Sequence, residues 1–306
     1  MRRALGGLAM LACLAGVAGS GPPPGPAASG TGPGRAAAAG DYWTADRMRR
    51  AAEADDLGAL RRLDAAAARP ATGRLAAPAP VRRAATWTSR GGVARAVGRV
   101  FFTLRGRDYS CTGVAVPSAN RSTVVTAGHC VNAGPGRYAR NWVFVPGYAA
   151  GRRPYGTWRA RSLAAPSGWV RGGRLQDDVG YAVVAPLGGR RLTDVVGGLP
   201  IAFDRPRGAY VWAFGYPAAA PNGGRRALYC RGAVRQDPYR SGAQGLACSM
   251  GQGASGGPWL ASFSTTGRTG AVYAVTSFTY RGMGGVVWAP YLGRTAATLF
   301  AAVQRR

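Results

Sequence analysis

Beyond Ala96 the chain is cut into short apolar runs by glycine, proline, asparagine and arginine, and this punctuation limits the fold more than any other feature. Val97–Leu104, Ser110–Val116, Thr123–Thr126 and Trp142–Val145 are rich in Val, Phe and Thr, as strands are. Tyr181–Pro186, Ala209–Phe214, Leu228–Val234, Pro258–Phe263, Ala271–Phe278 and Val286–Trp288 continue the pattern. Many short strands with no helices between them predict an all-β unit, a sandwich or barrels. The roughly 210 residues available suit one such unit, for which ~200–250 residues is ordinary. The tail departs from this. In Thr295–Arg306 the side chains of Leu299, Phe300 and Val303 share a helical face, and Arg305-Arg306 suits a helix C-terminus.

The residues ahead of 96 read differently. Arg2-Arg3 is a short basic start, and Ala4–Ala18 is an apolar core of secretory length, short of the ~20 apolar residues that a bilayer span needs. Gly16, Ala18 and Ser20 offer cleavage points, and Pro22-Pro23-Pro24 ends any helix. Residues 1–28 are therefore expected to be a signal peptide and the start of a linker, with the protein secreted. Cys13 lies in this segment, but Met10-Leu11-Ala12 before it is a poor lipoprotein signal. Residues 21–40 are Gly/Pro/Ala linker with no means of burying a core. Ala and Arg favour a helix over Arg49–Ala68, with Asp46 near its start, until Arg69-Pro70 stops it. Residues 29–95 are expected to be a pro-segment and linker, cut between about residues 83 and 96 near the dibasic Arg82-Arg83. Residues 96–306 are expected to be the folded domain.

Charge narrows the partners. All 40 basic residues are arginine, against 12 acids, for a net charge of +28. From residue 96 onward 26 Arg face six Asp, an excess of +20. Such a surface attracts polyanions with a pull that salt screens. The arginines are scattered and not gathered with aromatic residues on one helix or ribbon, so no specific nucleic-acid binding is expected. Electrostatic contact with an anionic cell surface is the remaining expectation, for a monomer.

Apart from Cys13 the cysteines are Cys111, Cys130, Cys230 and Cys248. An even number in an exported chain reads as two disulfides, for which four cysteines allow three pairings. The sequential pairing, Cys111–Cys130 and Cys230–Cys248, is expected. Each pair closes a loop of about 18–19 residues, worth ~3 kcal/mol in the chain-entropy account. Neither CxxC nor a Cys/His cluster occurs, and no nucleotide or flavin motif is visible, so no metal and no cofactor are expected.

The single histidine of the chain, His129, sits in Thr126-Ala127-Gly128-His129-Cys130. Downstream come Asp178, ahead of the apolar run Val179–Val184, and then Gly253-Ala254-Ser255-Gly256-Gly257-Pro258. A base, a carboxylate and a glycine-flanked serine are what nucleophilic acyl transfer requires. Glycine around a nucleophile lets the backbone turn sharply and leaves room for a substrate carbonyl. The backbone N–H groups of Gly253 and Ser255 could converge on an oxyanion, where such donors are worth ~3–4 kcal/mol each. Asp177 is adjacent to Asp178 and chemically equivalent, so only side-chain direction separates them.

These motifs together resemble the chymotrypsin-like (trypsin-like) serine endopeptidases, in particular their exported bacterial branch, over about residues 96–300. The resemblance implies two antiparallel Greek-key β-barrels with a cleft between them, His129 and Asp178 on the first and Ser255 on the second. It implies a protein or peptide substrate, with Asp178, directly ahead of an apolar and a small residue, as the third triad member. Cys111-Thr112-Gly113 ahead of His129-Cys130 looks like the family's first disulfide, which braces the histidine loop. Ser277-Phe278-Thr279 resembles the strand that pairs with substrate backbone. Tyr42-Trp43-Thr44 through Met48 looks like pro-regions of exported bacterial members. Two positions depart from the family pattern. Ala254 stands where many animal members carry an aspartate that pairs with a newly cut N-terminus. Ser249 stands where trypsin-type members select Arg or Lys with an aspartate, and the shifted Cys248 marks a different pocket loop. Without that aspartate, and without a second histidine for glutamyl selection, small or apolar residues are favoured. An esterase using the same triad and a non-catalytic protein on the same fold are the alternatives.

Overall fold

The hairpin Val97–Leu104 (β4) to Arg107–Val116 (β5) shows how this sequence makes its sheets. Arg105 and Gly106 connect the strands with φ of 50° and 78°, the mirror-image turn whose twist matches paired strands. A computed structural model describes residues 42–53, 63–64 and 81–306, apart from 135, 136, 220, 240, 267 and 282–284. The expected signal peptide, Cys13 and the Gly/Pro/Ala linker lie outside the described residues.

In chain order the remaining elements ahead of the hairpin are α1 (Ala45–Arg50), β1 (Ala52–Glu53), β2 (Leu63–Asp64), β3 (Ala85–Thr86) and α2 (Gly92–Ala96). After it come β6 (Thr123–Thr126), β7 (Arg140–Pro146), β8 (Trp158–Ala164), α3 (Ser167–Gly172), β9 (Gly180–Val184) and α4 (Leu192–Val196). The second half holds β10 (Tyr210–Gly215), β11 (Leu228–Ala233), β12 (Arg235–Gln236), β13 (Gln244–Ala247), β14 (Pro258–Ser264) and β15 (Thr269–Val275). It ends with β16 (Tyr280–Arg281), β17 (Val286–Ala289) and α5 (Arg294–Val303).

The fold is all-β, as its punctuation predicts. Strands β5, β4, β7, β8, β9 and β6 pair in that order, and β6 returns to β5, so the antiparallel sheet closes into a six-stranded barrel. Closure leaves an edge only along the first half of β5, and there β1 pairs parallel with Tyr109–Ser110. The runs are buried on both faces, which is why Gly180–Val184, and Val97–Leu104 apart from Arg99 and Thr103, read as apolar stretches and not as alternation. The second half forms a five-stranded sheet, β15-β14-β10-β11-β3, and a three-stranded one, β12-β13-β17, over a core that includes Val211, Leu246, Trp259, Tyr273 and Val287. Helix α5 closes over the barrel, with Phe300 5.8 Å from Tyr181 and the Tyr181 hydroxyl donating to the Ala296 carbonyl at 3.0 Å.

Of the strands of four or more residues, two are not visible in the sequence pattern. Trp158–Ala164 alternates arginine with small residues, and Gln244–Ala247 has Gly245 where a side chain would strike the Trp288 ring. The helix predicted over Arg49–Ala68 is corrected. It spans Ala45–Arg50 and gives way to extended chain at Ala52–Glu53, because Trp43, Met48 and Ala51 are buried against the barrel and the next two residues pair with the β5 edge. Residues 54–62 and 65–68 lie outside the described residues. Packing also begins ahead of residue 96. Ala85–Thr86 extends the five-stranded sheet, and the Trp87 ring lies edge-on among Trp212, Phe214, Tyr229 and Phe263.

Candidate active site

His129 is carried by a short turn, Gly128–Cys130, at the end of β6. That turn is tied to β5 by the Cys111–Cys130 disulfide, and Cys230–Cys248 is the second bridge. The opposite wall is the entrance of β9, where Asp178 is fully buried. One Asp178 oxygen accepts the His129 backbone N–H at 2.8 Å, and the other lies 2.9 Å from His129 Nδ1. The ring and the carboxylate are both 0% exposed, so the pair is shielded from water and salt. A Cβ at Gly128 would sit 2.8 Å from Asp178 Oδ1 and 3.0 Å from the Trp169 ring, so the residue before the histidine has no room for a side chain. Trp169 lies 6.3 Å from His129, its N–H held by the Asn132 carbonyl at 2.9 Å.

The adjacent acid is separated by direction. Asp177 points away and pairs with Arg174 at 2.6 Å. Asp178 and His129 therefore form the buried pair, with the imidazole Nδ1 facing the carboxylate. A third partner was not visible in the sequence: the Ser277 hydroxyl donates to the same Asp178 oxygen that faces Nδ1. Ser277 was expected to bind substrate through its backbone. Nothing in its local sequence marks its side chain, because the contact spans two strand groups.

The Ser255 loop docks on the same stretch of β5. Thr112 N donates to the Ser255 carbonyl at 2.8 Å, the Thr112 hydroxyl donates to the Gly253 carbonyl at 2.9 Å, and that hydroxyl accepts the Tyr216 N–H at 3.0 Å. Thr112 follows Cys111, and the Cys130 sulfur lies 3.8 Å from the Ser255 carbonyl oxygen. One disulfide thus joins the histidine turn to the strand on which the serine loop rests. Gly256, at φ 81°, is wedged where a Cβ would collide with Thr126 Oγ1 and the Thr112 carbonyl. Ser255 itself is 2% exposed.

The expected specificity residues separate into two places. Phe278 stacks on Trp288, and its N–H and carbonyl both pair with Trp288 beside partly exposed Thr279. Ser249 is exposed and takes up the main chain of the N-terminal strap: its N–H donates to the Arg82 carbonyl, and its hydroxyl accepts the Ala84 N–H, both at 2.9 Å. Cys111, Cys130 and His129 are the one cluster of metal-ligand type among the described residues, and its two sulfurs are spent in the disulfide.

Known proteins of solved structure are similar to this chain. Protease Anisep from Arthrobacter nicotinovorans is 40% identical over 70% of this chain and 98% of its own, with a TM-score of 0.67. The thermostable serine protease AL20 from an extremophilic microorganism is 38% identical over 69% of this chain and 98% of its own, with a TM-score of 0.66. A Glu endopeptidase, 18% identical over 73% of this chain and 97% of its own at a TM-score of 0.59, shares the fold. No protein-family model matches the chain, and no curated protein sequence does.

Proposed function

This chain belongs to the chymotrypsin-like serine endopeptidases, and we propose that it cuts peptide bonds with Ser255 as nucleophile, through an acyl-enzyme. His129 Nε2 takes the Ser255 proton and returns it to the leaving amine, while Asp178 fixes the tautomer and stabilises the imidazolium. The oxyanion forms against the backbone N–H groups of Gly253 and Ser255. The observation that carries this reading is the fully buried His129–Asp178 pair, joined through Cys130–Cys111 to the strand that holds the Ser255 carbonyl.

The β10–β17 strands act as the second barrel of this architecture, with β11 of the five-stranded sheet meeting β13 of the three-stranded one. Peptide substrate pairs along Ser277–Thr279, and with Ser249 in place of an acidic pocket residue the preference is for small or apolar side chains before the cut. The protein is secreted as a precursor. Its mature domain begins ahead of Trp87, because removing that ring would empty an aromatic cage of four neighbours.

The test is labelling of the secreted protein with an active-site fluorophosphonate and mapping of the adduct. Modification at Ser255, lost in Ser255→Ala together with peptide hydrolysis, supports the assignment. An adduct on another serine, or turnover surviving in Ser255→Ala, removes it.

A further inference from the structure

The Tyr42–Met48 motif takes no part in the chemistry proposed above, yet the first barrel engages it side chain by side chain. Trp43 is 1% exposed, its ring 5.5 Å from that of Phe101 and its indole N–H donating to the Asn141 carbonyl at 2.6 Å. Met48 is equally buried, one turn along α1, and Ala51 follows it into the same core. Thr44 caps the helix by accepting the Arg47 N–H at 3.2 Å.

Asp108 on β5 is the polar hub. It accepts from the Tyr42 hydroxyl at 2.7 Å, from the Thr103 hydroxyl at 2.9 Å and from Arg47 Nε at 2.8 Å, while the Arg47 guanidinium lies 3.9 Å over the Tyr42 ring. The chain then continues as β1, paired parallel with Tyr109–Ser110. Each element of the motif therefore has a receptor on the barrel: a hole for Trp43, a carbonyl for its N–H, a carboxylate for Tyr42 and Arg47, and a strand edge for the two residues that follow. Removing the segment would uncover the Phe101 ring, strip Asp108 of two donors and open a strand edge. A surface of that kind favours an occupant.

We propose that this barrel face is a docking site for residues 42–53, and that the severed pro-segment stays bound there in trans as a noncovalent partner after the chain is cut ahead of Ala84. The occupant is a peptide of the pattern Tyr-Trp-Thr-x-x-Arg-Met. Buried tryptophan supplies the anchor, and the Asp108 contacts fix the register, in the manner of an interface with one aromatic hot spot. The held segment also leads toward the reacting end of the molecule, since Leu63–Asp64 pairs parallel with Tyr280–Arg281, directly after Ser277–Thr279. The cut rests on the precursor reading above, whereas the docking does not.

The test uses the full chain as Ser255→Ala, with a unique recognition sequence for a site-specific protease inserted after Pro70. After complete cleavage, gel filtration at micromolar concentration should carry the N-terminal fragment with the domain. A synthetic peptide of residues 42–53 should displace it. The same peptide with Trp43→Ala should need about 10²–10³-fold more, the loss expected for truncating a buried tryptophan. With Arg47→Met, which keeps the stem and drops the ion pair, the change should be about 2–5-fold. Because the variants are in the peptide, the receptor is the same folded protein throughout. A fragment that elutes at its own size, or a Trp43→Ala peptide as effective as the parent, overturns the proposal. Both readouts are independent of peptidase activity.

Discussion

Replacing Asp178 by asparagine changes one atom, and its cost can be worked from the contacts. The carboxylate accepts three hydrogens: the His129 backbone N–H on one oxygen, and Nδ1–H and the Ser277 hydroxyl on the other. An amide offers one oxygen and one NH₂. If its oxygen keeps the backbone N–H, the NH₂ faces Nδ1, which must then accept, so the ring's proton moves to Nε2. An imidazole protonated at Nε2 cannot take the serine proton, and kcat should fall about 10⁴-fold, or ~5.5 kcal/mol of barrier. If the amide is flipped, its NH₂ meets the backbone N–H in a fully buried site, which costs ~1–3 kcal/mol of stability for the unpaired donor. Either orientation damages the site. Asp177→Asn is the control. It loses one ion pair to Arg174, whose side chain is 56% exposed, so stability should change by less than ~1 kcal/mol and kcat hardly at all. The assay is kcat on a peptide substrate, normalised by active-site titration, beside thermal melts of both variants. An Asp178→Asn enzyme within about tenfold of wild type would refute the role given to the carboxylate. So would an inactive Asp177→Asn.

Two further perturbations test the scaffold. Gly128→Ala places a methyl 2.8 Å from Asp178 Oδ1 and should cost ~1–3 kcal/mol; by shifting the buried pair it should also lower kcat/KM by about 10²-fold, read by melts and steady-state kinetics. Full activity in that variant would mean the pair tolerates displacement. Trp87→Ala removes a partly buried ring from its four-ring cage, worth ~2 kcal/mol, which for a domain of this size lowers Tm by about 4–8 °C. An unchanged Tm would move the start of the folded domain back toward residue 96.

What could be read in the sequence divides along physical lines. Strands whose two faces are both buried announce themselves as apolar runs, so Val97–Leu104 and Thr123–Thr126 could be placed to the residue. Trp158–Ala164 could not, because its exposed face carries Arg159 and Arg161 and the run loses its apolar signature. The α1 helix ends earlier than its composition predicts, for a related reason. Alanine and arginine carry helix propensity, but the barrel edge offers Ala52–Glu53 a main-chain partner, and tertiary pairing outweighs a few tenths of a kcal/mol per residue. At the candidate site, His129 stands out as the one histidine of the chain, and Ser255 because glycine flanks it at 253, 256 and 257. Ser277 and Thr112 both lie in family-like motifs, but neither motif nor spacing marks a hydroxyl whose partner lies 99 or 141 residues away.

Thr112 carries a further consequence, because Ala254 leaves the serine loop without the carboxylate that would tie it to a new N-terminus. Ala254 is fully buried against Gly215, where a Cβ would come within 2.8 Å of its own, so a carboxylate at this position would be desolvated. The loop is held instead by Thr112, through its N–H to the Ser255 carbonyl and its hydroxyl between the Gly253 carbonyl and the Tyr216 N–H. These contacts lie within the packed domain and require no free terminus, so the geometry of the serine loop does not wait on proteolysis. Thr112→Val keeps the shape and deletes the hydroxyl, stranding one buried donor and one buried acceptor. The expected loss is ~2–4 kcal/mol of stability, with kcat down by about 10–100-fold as the Gly253 peptide is released. Lengthening the mature N-terminus by one residue should leave kcat unchanged. If the lengthened enzyme is the one that fails while Thr112→Val works normally, the loop is governed by the terminus after all.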